Sequence, residues 1–220
     1  MFRLILFDID GTLIRTGGAG VLAFGSVFKE VFGLENGTAN ISFAGRTDTG
    51  LIREMMRNHG VEETAANFDL FYNAYPKWLT HWLNEMGGKV CEGVDEFMTH
   101  CADRSSAPRI ALLTGNLLPG AEIKLRNFNI WERFEFGAFG SDHECRNELA
   151  AIAWERGKQR IGTDLKAGEI LVVGDTPRDV ECARAIGAKV LAVTTGGATR
   201  DELTAVQPDW LVDSMDQFTW

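Results

Sequence analysis

Phe7-Asp8-Ile9-Asp10-Gly11-Thr12-Leu13 follows directly on the apolar run Leu4-Ile5-Leu6. Two carboxylates at the end of a buried strand are costly to place without a partner. Alternation along an extended chain points Asp8 and Asp10 the same way, toward one edge of a sheet. Acids converging on one spot repel, so they invite a divalent cation or a shared proton. Gly11 then lets the backbone turn away. Taken alone, the run reads equally well as a strand followed by an acidic turn; the remainder of the chain has to supply matching pieces.

It supplies them at two places. Apolar runs at residues 4–7, 110–113, 170–173 and 190–193 have the composition of buried parallel strands, and residues 134–139 and 210–212 are weaker candidates. Helical patterns lie between them: Leu149, Ile152 and Ala153 in one, Val180, Ala183 and Ile186 closed by Gly187 in another. This alternation predicts an α/β fold, a doubly wound Rossmann-like parallel sheet. Its second strand ends in Leu113-Thr114-Gly115-Asn116 and its third in Val173-Gly174-Asp175-Thr176-Pro177-Arg178-Asp179. In an open α/β sheet these ends share the edge where ligands bind. Thr114-Gly115-Asn116 also fits a strand-ending turn, and Asp175 and Asp179 also fit a helix cap and first-turn acid.

The stretch from about residue 15 to 86 breaks the rhythm. Val21, Phe24, Val27, Phe28 and Val31 fall at helical spacing; Leu51, Ile52, Met55 and Met56 repeat it, with Thr47 or Asp48 placed to cap. Phe68, Phe71, Tyr72, Tyr75, Trp78, Leu79, Trp82 and Leu83 then form an aromatic stripe that suits core packing. Three helices without a strand predict an inserted α-helical cap domain at 16–86, with the α/β core formed by 1–15 and 87–220. The clusters Gly17-Gly18-Ala19-Gly20 and Gly87-Gly88 lie where hinges would be needed.

Composition bounds the partners. A formal charge of −9 over 220 residues disfavours nucleic acid or an anionic membrane as the main partner. No run approaches the roughly 20 apolar residues of a membrane helix, and the short N-terminal apolar stretch lacks a cleavage-like tail. Cys91, Cys101, Cys145 and Cys182 show no metal-finger or C-x-x-C spacing and read as free thiols. The expectation is a cytoplasmic protein, monomeric or homodimeric, acting on a small molecule.

With these pieces assembled, the chain resembles the haloacid dehalogenase superfamily, in the branch similar to phosphoglycolate phosphatases with a helical cap after the first strand. Asp8-Ile9-Asp10-Gly11-Thr12 matches the family's first motif, Thr114 its second, and Gly174-Asp175 with Asp179 its fourth. The resemblance implies a magnesium-dependent phosphatase of a small phosphorylated substrate, with Mg2+ held by the Asp8 carboxylate, the Asp10 backbone carbonyl and Asp175, and with Asp179 as a ligand or just behind one. Chemically, a carboxylate such as Asp8 can attack phosphorus, and Asp10 can protonate the leaving oxygen and then activate water. An all-oxygen site suits magnesium better than zinc. Thr114 and the backbone around Gly115, with Gly11, Thr12 and Asn116, would hold the phosphoryl group.

One motif departs from the pattern. The family places a lysine near the third crossover, whereas Gly140-Ser141-Asp142-His143-Glu144-Cys145-Arg146-Asn147-Glu148 holds none. Arg146 stands in that place as the catalytic cation; it can pair bidentately with phosphate and stays charged. Lys124 and Lys158 are the alternatives, and His143 reads as a surface residue. In the insert, Gly45-Arg46-Thr47-Asp48 enters a helix, where backbone N–H groups suit an anion and Arg46 could reach a substrate. Rival readings are a phosphosugar mutase of the same fold and a non-catalytic phospho-ligand binding protein. A dehalogenase has no use for Asp10, and a phosphonatase needs a cap lysine, for which Lys29 and Lys77 are poorly placed.

Overall fold

A computed structural model describes residues 1–220. In chain order the elements are β1 (Leu4–Phe7), β2 (Ile14–Arg15), α1 (Ala19–Phe32), α2 (Asp48–Asn58), α3 (Ala65–Met86), β3 (Lys89–Val90), α4 (Val94–Ala102), β4 (Arg109–Leu113), α5 (Leu118–Asn127), β5 (Gly137–Ala138), α6 (Arg146–Ile161), β6 (Ile170–Gly174), α7 (Pro177–Ala185), β7 (Lys189–Val193), α8 (Arg200–Ala205) and β8 (Trp210–Val212). Six strands form one sheet in the order β5-β4-β1-β6-β7-β8, every pair parallel.

The strand order explains where a site must lie. After β1 the chain builds outward through β4 and β5, then returns to β1's other side for β6, β7 and β8. The order therefore reverses at β1, and a crevice opens beyond the carboxyl ends of β1, β4 and β6. All four residues of β1 are fully buried, because both faces of the sheet are covered. Ile5 and Phe7 face one apolar cluster with Phe97, Leu112 and Val173; Leu4 and Leu6 face another with Leu149, Ala153 and Val172. Burying side chains of this size contributes roughly 1.5–3 kcal/mol each, which fixes the register that presents Asp8 at the edge.

Helices α1, α2 and α3 pack around a third apolar cluster that includes Phe24, Phe28, Met55, Phe71 and Tyr75. The aromatic stripe of α3 turns its Phe71, Tyr75, Leu79 and Leu83 edge inward. Val21 of α1 instead lines the cleft between these helices and the sheet, at 37% exposure. A two-stranded antiparallel ribbon, β2 with β3, brackets the helical insertion and brings its entry and exit together. The sequence reading omits this ribbon, since two residues carry no periodicity. Residues 134–139 also yield less strand than expected: the chain comes out of a 3-10 turn at Trp131–Arg133, and only Gly137 and Ala138 align with β4. Helix α7 is capped by Thr176, not Asp175, with Asp179 completing a capping box. Thr47 rather than Asp48 caps α2. No helix is long and apolar enough to cross a membrane, and the four cysteines are unpaired.

Candidate active site

The cleft beyond β1, β4 and β6 has a volume of about 420 Å3 and is walled on its far side by α1, α2 and α3. Asp8 sits one residue past β1, its amide donating to the Val173 carbonyl at 3.0 Å, so its carboxylate faces the cleft floor. Gly11, at φ +86°, turns the chain back so that its amide meets Ile14 O at 2.8 Å. That tight turn keeps Asp10 at the rim, 42% exposed at its side chain.

Asp8, Asp175 and Asp179 are all buried, and a carboxylate oxygen from each lies within 4.8 Å of the others. Asp175 is held by the Thr12 hydroxyl at 3.0 Å and the Gly197 amide at 3.2 Å. Thr12 is fully buried and committed to Asp175, so its side chain does not reach the cleft. Asp179 engages both its oxygens: one accepts from the Thr176 amide at 2.9 Å and hydroxyl at 2.7 Å, and the other pairs with Arg146. It lies behind Asp8 and Asp175, which face the cleft themselves.

Arg146, the first residue of α6, is buried, and its Nη2 is 2.9 Å from Asp8 Oδ1. Burial works against its charge, but Asp179 and Asp8 outweigh burial and raise its pKa well above the ordinary arginine value. One cation thus faces three buried acids. Burial pushes Asp8 up to about 6 despite Arg146, and burial with Asp179 and Asp8 as neighbours pushes Asp175 well above the carboxylate range. A divalent cation would remove that penalty. The donor set is all oxygen, so the residues fit a hard ion such as Mg2+.

Lys124, weighed in the sequence as a replacement for the missing lysine, serves a different acid. Its buried ammonium lies 2.7 Å from Asp10 Oδ2 and 2.6 Å from Asn116 Oδ1. Asn116 also donates to Asp10 Oδ2 at 2.8 Å and to Thr114 Oγ1 at 2.9 Å. Thr114 is fully buried beside the cleft, accepting from Asn116 and retaining its own O–H for donation. The phase of Lys124 with Ala121 and Leu125 on the buried face of α5 is the sequence signal that sets it apart from a surface lysine. Lys158 is off the site, paired with Glu155. Lys29 and Lys77 pair with Glu35 and Glu30 on the surface.

The 45–49 loop is seated on the core. The Asp48 amide donates to Gly115 O at 2.7 Å, and its carboxylate accepts from the Leu117 amide at 2.8 Å. The Thr47 and Thr49 hydroxyls donate to Glu144 O and Gly140 O at 2.8 and 2.7 Å. Arg46 lines the cleft but is not a free cation, because Glu54 pairs with it. A Cβ on Gly115 would run into the Arg46 carbonyl oxygen, so glycine permits this close approach. Of the residues singled out from sequence, Asp8, Asp10, Gly11, Arg46, Gly115, Asn116, Arg146 and Asp175 line one cleft. Asp48 and Lys124 line it too, and so does Tyr75, which the sequence assigns to the packing stripe of α3.

The family model described as "Haloacid dehalogenase-like hydrolase" matches residues 5–193. The chain is 24% identical to "Probable phosphatase IndB" of Dickeya dadantii, covering 99% of this chain and 92% of that one. It is also 24% identical to a phosphoglycolate phosphatase of Pectobacterium atrosepticum, over 96% of this chain and 88% of the relative. Among solved structures, CbbY from Rhodobacter sphaeroides in complex with phosphate superposes with a TM-score of 0.75 at 21% identity, covering 99% and 96% of the two chains.

Proposed function

The chain belongs to the haloacid dehalogenase-like hydrolases, and from that membership we propose a magnesium-dependent phosphatase of a small phosphomonoester, phosphoglycolate-like or a sugar phosphate. The observation that carries this reading is the meeting of Asp8, Asp175 and Arg146 on the floor of a cleft whose rim holds Asp10. Relatives named phosphatase and phosphoglycolate phosphatase support it.

Asp8 is the nucleophile. Arg146 pairs with its Oδ1, leaving Oδ2 to attack phosphorus. As the P–O bond to the leaving group breaks, Asp10 delivers a proton to the departing oxygen. Asp10 next takes a proton from water, which attacks the aspartyl-phosphate; the bond between phosphorus and Asp8 breaks, phosphate leaves and Asp8 is restored. Arg146 neutralises charge on Asp8 and orients it throughout. The backbone at Gly115 holds phosphoryl oxygens, and Thr114, behind the cleft lining, positions Asn116 through its amide and side chain. Asp8, Asp175 and the Asp10 carbonyl would hold Mg2+, which supplies charge neutralisation between nucleophile and phosphate. Residues 16–86 act as a cap, and the 45–49 loop excludes water when seated as described.

The test is phosphate release across a set of small phosphomonoesters with and without Mg2+, beside Asp8→Asn. The wild type should release phosphate only with the metal, and Asp8→Asn should fold normally without turnover. Near-normal turnover in Asp8→Asn would sink the mechanism.

A further inference from the structure

Two residues of the cleft lining leave a buried polar atom without a partner, Arg146 at Nε and Tyr75 at its hydroxyl; Arg146 is already held by Asp8 and Asp179, which leaves Tyr75 to be explained. It lies 1% exposed in α3, lines the cleft, and its hydroxyl has no hydrogen-bond partner. The ring packs between Phe24 and Phe71, at 5.2 and 5.5 Å between centroids, and lies against α5 at Gly120. A Cβ at position 120 would stand 2.9 Å from Tyr75 Cε1 and 3.4 Å from its oxygen. The packing thus reserves room for a tyrosine at a place where phenylalanine would fill the same core with no buried polar atom to satisfy. An unpaired hydroxyl in such surroundings is expensive, and a native structure that keeps one invites a functional reason.

The neighbouring cation points the same way. Lys124 has three N–H donors, of which two go to Asp10 and Asn116. Gly20, across the cleft in α1, carries no side chain to cover the ammonium; a Cβ there would lie 3.5 Å from Nζ. Two donors therefore lack acceptors in the cleft lining: the Tyr75 hydroxyl of the helical insert, packed against α5 at Gly120, and the third N–H of Lys124, one turn further along α5 and paired with Asp10.

We infer that Tyr75 and Lys124 form a leaving-group subsite that selects phosphomonoesters bearing an acceptor oxygen close to the ester oxygen. This rests on the phosphatase reading given above. Asp10 must reach the ester oxygen at hydrogen-bond distance to protonate it, and Lys124 lies one hydrogen bond beyond Asp10. An oxygen on the carbon next to the ester carbon, hydroxyl or carboxylate, satisfies both. Tyr75 and Lys124 are specificity residues here, and Asp10 keeps the proton chemistry.

The test compares 2-hydroxyethyl phosphate and phosphoglycolate with ethyl phosphate, which lacks the second oxygen, in the wild type and in Tyr75→Phe. Para-nitrophenyl phosphate is a fourth substrate that reports on phosphatase chemistry alone. The wild type should prefer the oxygenated pair. Tyr75→Phe should lower kcat/KM roughly tenfold on at least one of them, and about twofold or less on ethyl and para-nitrophenyl phosphate, with unfolding in urea unchanged or shifted to higher denaturant. Loss on phosphoglycolate alone identifies the acceptor as carboxylate, and loss on 2-hydroxyethyl phosphate as hydroxyl. Equal losses on all four substrates, no loss on any, or no wild-type preference for the oxygenated pair overturns the subsite while para-nitrophenyl phosphate is still hydrolysed. Failure of the wild type on all four overturns the phosphatase reading itself.

Discussion

Arg146 Nη2 lies 2.9 Å from Asp8 Oδ1, with both side chains 7% exposed. The same nitrogen pairs with Asp179, so one guanidinium ties the end of β1 to the start of α7. A buried charge with its partners in place is tolerable, and removing one partner strands the others.

Arg146→Ala should therefore cost stability as well as turnover. With metal chelated, urea unfolding should report a loss of about 3–5 kcal/mol, whereas Arg160→Ala, an exposed arginine of the same helix, should stay within about 0.5 kcal/mol. Phosphate release should drop about a hundredfold or more, and Arg146→Lys should recover part of it by restoring charge without the planar fork. If Arg146→Ala behaves like Arg160→Ala in both measurements, Arg146 is not the cation of the site.

Metal binding should be visible without catalysis. A ligand held only by the folded state stabilises it by about 2.7 kcal/mol at one hundred times its dissociation constant. Mg2+ should raise the thermal midpoint of the wild type and leave that of Asp175→Asn where it is, read by calorimetry. An equal rise in both proteins would place the ion elsewhere.

Seating of the 45–49 loop depends on the bare backbone at Gly115. Gly115→Ala should hold the loop off the core by about a methyl radius while the sheet and its clusters stay intact. A misplacement of that order costs about a hundredfold in rate, so kcat/KM should fall by about that much with little change in urea unfolding. Unchanged kcat/KM would mean that the loop need not seat.

Asp48 makes the fold sensitive to pH. Burial pushes its pKa from 3.8 up to about 6, against the opposing pull of Lys124 and the Leu117 amide. The folded state thus holds this proton more tightly than the unfolded chain. The stability gained from protonated Asp48 is full below about pH 4 and is lost as pH rises to about 6. Asp48→Asn keeps an acceptor for Leu117 without ionising. Its unfolding free energy relative to wild type should climb by about 1–3 kcal/mol between pH 4 and pH 7, and a flat difference over that window would falsify the assignment.

Much of the floor of the cleft is legible in the sequence. Local patterns carry it: four apolar runs marked strands, and polar residues at their carboxyl ends marked Asp8, Asp10, Thr114 and Asp175, because strand direction in a parallel sheet brings those ends to one edge. The three helices of the insert were legible from apolar spacing alone. The ribbon of β2 and β3 was not, since its pairing joins residues about 75 apart through two-residue strands.

By itself, then, the sequence determined the chemistry at the end of β1: which acids stand there, and that Gly11 lets the chain turn away after them. Only the tertiary structure decided which cation answers which acid. Arg146 and Lys124 were both candidates for the same role, and the fold assigns Arg146 to Asp8 and Asp179 but Lys124 to Asp10 and Asn116. The reason is physical. A strand's alternation is set by its own residues, whereas the partner of a buried charge is set by how α5 and α6 rotate as they pack on opposite faces of the sheet, with Tyr75 reaching the same cleft from a helix that is far away in sequence.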